Sequence, residues 1–141
     1  MISPYEIVSK SALPALRAMV ARRLQLDYHM TQQQVANALG ITQASVSNYT
    51  RKTRGVMVNF ESDPTVTKAA DTIASGLAEK DPDQLEAMKS MTDVLDYIRL
   101  NHMMCSLHSD LEPGFQTEEC YACNGALSGK GFDRLKVLAG S

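Results

Sequence analysis

Apolar residues recur at helical spacing through most of the chain, and the breaks between stretches predict where helices start and stop. Leu16, Met19, Val20, Leu24 and Leu26 form one stripe behind Pro14, a residue that a first helical turn tolerates. Arg17, Arg22 and Arg23 fall largely off that stripe. Thr31 is a suitable N-cap for a second helix to about Leu39, and Gly40 suits the left-handed turn that ends it. Thr42 suits the cap of a third helix, through Tyr49 to about Lys52, and Gly55 closes the unit. Val56, Val58 and Phe60 then alternate with Met57 and Asn59, as in a short strand or an extended linker. Asp63-Pro64 and Asp81-Pro82 each set a cap before a first-turn proline. The helix behind the first pair carries Val66, Ala69, Ala70, Ile73 and Leu77 on one face. The helix behind the second is expected to run to about Cys105. Along it Met88, Met91, Leu95, Ile98, His102 and Cys105 keep the spacing of a heptad seam. After Leu107 the periodicity stops, and residues 109–131 hold Pro113, Gly114, Gly125, Gly129, Gly131, Cys120 and Cys123. Residues 132–138 are expected to form a last short helix. The expected architecture is all-α: a helical bundle over 1–55, a linker or short strand over 56–63, and over 64–141 two helices with a cysteine-bearing loop.

Composition narrows the class. A hydrophobic share of 44% with 21% charged residues belongs to a globular chain and not to a disordered one. No apolar run approaches the roughly 20 residues that cross a bilayer, and the first ten residues lack the basic start and apolar core of a secretory signal. A cytoplasmic protein without membrane association is expected. With no Trp and 6% aromatic residues, stacking on single strands is disfavoured. The net charge of −2 conceals an asymmetry: up to Val58 seven cations face two carboxylates, a balance of +5, and the remainder carries −7. A basic first third suits a polyanion.

Residues 31–52, TQQQVANALGITQASVSNYTRK, have the pattern of a helix-turn-helix. Ala36 is the small residue where two helices touch, Gly40 makes the turn, and Val35, Leu39, Ile41, Val46 and Tyr49 glue the pair to the domain. Ala44, Ser47, Asn48 and Arg51 fall at i, i+3, i+4 and i+7, a polar side for the docked helix. Asparagine and glutamine amides bond bidentately to adenine N6 and N7, and Ala44 suits a thymine methyl. Thr42, Lys52 and Arg54 are placed for phosphates, which position without reading sequence.

These residues resemble the repressor-like helix-turn-helix domain of phage repressors and XRE-type regulators. The longer string from LPALRAMVARRL through TQQQVANALGITQASVSNY to RG is most similar to predicted archaeal regulators of that class. The resemblance covers about the first 55 residues. It implies that Gln43 opens the recognition helix and reads a base edge, and that Gln32 braces Gln43 and touches a phosphate. It also implies a homodimer on double-stranded DNA, for which the heptad seam offers a surface.

Cys105, Cys120 and Cys123 form C-x14-C-x2-C, with Asn124-Gly125 behind the close pair, the shape of a metal knuckle. His102 and His108 each lie three residues from Cys105, and a continuous helix would put His102 and Cys105 on one face. The three cysteines suit a [4Fe–4S] or [2Fe–2S] cluster, which could sense redox state or iron; with His102 or His108 as fourth ligand they suit zinc. The plainer readings are that Cys105 is a small buried residue and that Cys120 and Cys123 are a thiol pair. His29 reads as a hinge or surface residue, and Met88 and Met91 as seam filling. No Ser-His-Asp or paired-carboxylate spacing stands out, so no enzymatic activity is expected; the competing reading is a redox protein that docks through its helix-turn-helix.

Overall fold

The computed structural model describes residues 1–51, 59–114 and 123, with the side chain of Thr50 excepted. The described residues are all-helical, with no strand among them. The first helix starts earlier than Pro14. Ser3 caps α1 (Pro4–Ile7), its hydroxyl accepting from the Tyr5 N–H while the Glu6 carboxylate accepts from the Ser3 N–H. The chain passes through a π-helical turn, Val8–Ala12, directly into α2 (Leu13–Leu26). Pro14 therefore sits inside a long helix. It has no N–H for the preceding turn and its ring crowds the carbonyl there. The π-turn, in which the Leu13 N–H reaches back to the Val8 carbonyl, widens the helix just before it.

α3 (Gln32–Leu39) has the expected bounds, and α4 (Gln43–Thr50) the expected start, ending two residues short of Lys52. Thr31 Oγ1 accepts from the Gln34 N–H at 3.1 Å and Gln34 Oε1 from the Thr31 N–H at 2.8 Å, a closed capping box. Gly40 ends α3 in the left-handed region at φ +65°, and the Ile41 N–H bonds back to the Ala36 carbonyl. Thr42 caps α4 by accepting from the Ser45 N–H. His29, expected as a hinge or surface residue, is exposed and turns the chain between α2 and α3 with φ +54°.

Asp63 caps α5 (Pro64–Leu77), which buries Val66, Ala70, Ile73 and Leu77 as its apolar spacing requires. Phe60 ahead of it is buried, not paired in a strand; residues 56–58 and 132–138 lie outside the described residues. α6 (Gln84–Leu100) corrects two expectations. Its cap is Asp83, which accepts from the Glu86 N–H, and not Asp81. Both aspartates are competent caps by type. The helix also stops before the seam is complete. The Asn101 amide donates to the Tyr97 carbonyl, His102 takes φ +56°, and the Met103 N–H bonds back to the Ile98 carbonyl. Cys105 then opens a separate helix, α7 (Cys105–Leu111). The face that α6 buries is Val94, Ile98 and Arg99, while Met88 is 59% exposed.

α2 packs against α3, α4 and α5, and α5 against α6. One buried cluster runs through Leu16, Met19, Val20 and Leu24 to Val35 and Val46, and equally to Phe60, Val66, Ile73, Ile98 and Met104. One core thus joins described residues from both sides of the segment 56–63. No helix among the described residues is long and apolar enough to cross a membrane.

Candidate nucleic-acid interface and thiol–imidazole site

α4 docks by burying Val46 and Tyr49 against α3 and α2. That orientation leaves Thr42, Gln43, Ala44 and Arg51 exposed and Ser47 and Asn48 half-buried. Gln32 is half-buried in the first turn of α3. Lys52 and Arg54 lie outside the described residues. From Tyr28 to Phe60 the sequence contains no carboxylate, so the α3–α4 surface carries no negative side chain to repel a phosphate backbone. The free N–H groups at the starts of α3 and α4 add partial positive charge there.

The basic balance of the first third is smaller in the fold than along the chain. Arg23 donates to Glu61 at 3.2 Å, to Asp71 and to the Met19 carbonyl, and Arg22 reaches Glu61 at 3.4 Å. Burial alone would pull the Arg23 pKa down, but its hydrogen bonds to Glu61 and Asp71 outweigh it and hold the guanidinium charged more firmly than usual. The Arg23 hydrogen bond in turn keeps the Glu61 carboxyl below the ordinary carboxylate range. Two of the seven N-terminal cations are therefore spent inside the molecule. Sequence reading missed this network, since nothing in a chain flags partners 38 and 48 residues apart.

The α6–α7 corner holds the second candidate site. The break at His102 brings its Nδ1 to 3.6 Å from Cys105 Sγ, so the two groups meet across a tight turn instead of along one helix face. Both line a cavity of about 20 Å³ together with His108 and Cys123. Pro4, Ile7 and Val8 from the N-terminal helix, with Met104 and Arg99, complete its described walls. His108 is only 5% exposed, and its Nε2 lies 2.9 Å from Glu112 Oε2. Glu112 also accepts from the Ile2 N–H and pairs with the Met1 ammonium. The His108 hydrogen bond, then that ammonium, hold the Glu112 carboxyl below its usual range. Arg99, 8% exposed, lies over the Tyr5 ring at 5.7 Å.

Cys120 lies outside the described residues. Among the described residues no three His, Cys, Asp or Glu side chains are drawn together closely enough to enclose an ion; His102–Cys105 and His108–Glu112 meet as pairs. Glu112, Arg99 and the N-terminal wall of this cavity were not legible as site residues, because they come from opposite ends of the described chain. No family model, curated protein or solved structure matches this chain.

Proposed function

We propose that this protein is a cytoplasmic, sequence-specific DNA-binding regulator that inserts α4 into the major groove and acts as a homodimer. The observation that carries the reading is the presentation of α4. Its apolar side is locked into the core by Val46, its start is fixed by the Thr42 cap, and its outward side is a neutral amide surface in an acid-free stretch. On that surface Gln43 and Asn48 have the donor–acceptor pair that matches adenine, and Ala44 suits a thymine methyl. Gln32, Thr42, Ser47 and Arg51 are assigned the flanking contacts, those to phosphates fixing register. Lys52 and Arg54 follow in sequence and add charge.

One such helix spans only a few base pairs, so a two-fold pair of helices raises affinity and selectivity. The exposed Leu85 and Met88 on the first half of α6 supply an apolar surface for pairing. The test selects preferred duplexes from a random pool and measures binding by fluorescence anisotropy. Gln43→Ala and Asn48→Ala should each cost roughly 1–3 kcal/mol on the selected duplex and relax one base pair. If both variants keep wild-type preference, α4 is not the reading helix.

A further inference from the structure

We propose that His102, Cys105, His108 and Cys123 hold a single thiophilic divalent cation of the zinc class at the α6–α7 corner. All four side chains line one cavity. Its volume of about 20 Å³ is room for one small ion, since a single water needs about 10–15 Å³. Two imidazoles and two thiols are a common tetrahedral set for zinc, with Zn–S about 2.3 Å and Zn–N about 2.0 Å. At the tetrahedral angle those bonds put nitrogen and sulfur about 3.5 Å apart. The His102 Nδ1–Cys105 Sγ separation is 3.6 Å.

The same contact argues against a [4Fe–4S] cluster on this pair. Each of its irons takes one protein ligand, so two ligand atoms do not touch.

His108 lines the cavity with its Nε2 2.9 Å from Glu112 Oε2, so Nδ1 is the ring nitrogen assigned to the cation. A carboxylate on the far ring nitrogen is the usual support of a metal-bound histidine. His102 adds a backbone argument. At φ +56° a glycine or asparagine would sit with less strain, and the histidine keeps an imidazole on the Cys105 sulfur. Binding draws His108 and Cys123 from the cavity wall onto the pair, and the cation replaces the Cys105 and Cys123 thiol protons, which pass to solvent.

The test uses the full chain, stripped with a chelator under reducing conditions and titrated with cobalt(II), then with zinc in competition. Expected is one cobalt per chain with tetrahedral d–d bands and thiolate charge transfer, displaced by zinc. His102→Gly, which suits the left-handed turn, and Cys105→Ser should lose this spectrum while keeping wild-type helicity by circular dichroism. Glu112→Gln should weaken zinc binding roughly 10–100-fold. The proposal is overturned if wild type shows no tetrahedral thiolate spectrum, or if His102→Gly or Cys105→Ser retains it in full. A brown protein carrying iron and inorganic sulfide also overturns it. DNA is absent from the assay, so its outcome is separate from the reading of α4.

Discussion

Arg23 on α2 and Glu61 ahead of α5 are paired at 3.2 Å, and Arg22 shares the same carboxylate. The pair ties the N-terminal bundle to the later helices and removes cations from the surface. Glu61→Gln should destabilise by about 1 kcal/mol or less at neutral pH, because the Glu61 side chain is 41% exposed and solvent screens the pair. The folded state lowers the Glu61 pKa, so the contribution is present above the unfolded value and fades as pH falls through the folded one. Urea midpoints should therefore differ between wild type and variant at neutral pH and converge in acid. The variant should also bind random duplex DNA with a slightly steeper salt dependence, having released Arg22, while Arg23 stays on Asp71.

Gly40→Ala should cost about 1–2 kcal/mol, the penalty for a side chain in the left-handed region. No atom lies within 4 Å of an added Cβ, so φ +65° is the whole cause. Gly40→Asn should recover part of the loss, and thermal melts of the three proteins give the ranking.

Leu16→Ala should lose about 2–5 kcal/mol, since Leu16 is fully buried in the cluster that joins α3 and α4 to α5 and α6. Because that cluster is one, helicity and a fluorescent probe placed on α6 should report a single coincident unfolding transition. Residues 1–55 alone should not fold cooperatively, as α2 would lose its packing against α5. A truncated chain with a sharp melt would show the first bundle to be self-sufficient.

Met88→Glu should leave the monomer folded, because Met88 is largely exposed, and should abolish dimerisation if α6 is the pairing surface. Light scattering at matched concentrations distinguishes the outcomes: an unchanged dimer mass moves the interface elsewhere. Leu95 is a poorer probe, being partly packed on the core.

Local signals in the chain were enough for the all-α class and for the starts of α3, α4 and α5. Thr31, Thr42 and Asp63 cap helices by chemistry that acts within three residues, and Gly40 turns left-handed for want of a Cβ. The apolar face of α5 follows from periodicity alone. The thiol–imidazole pair was half legible, since the three-residue interval between His102 and Cys105 was plain but its geometry depended on whether the helix continued. That end is marked by no proline or glycine. It is an asparagine amide on a carbonyl and a histidine in a left-handed turn, which win only because Ile98 and Met104 are buried on either side of the corner. The start at Pro4 was hidden for a similar reason, because a π-turn can absorb an internal proline. The ion pairs of Arg22 and Arg23, the Glu112 support of His108 and the cavity wall from Pro4 to Val8 belong to tertiary structure. They join residues far apart in the chain, where only the packing of one shared core decides which groups meet.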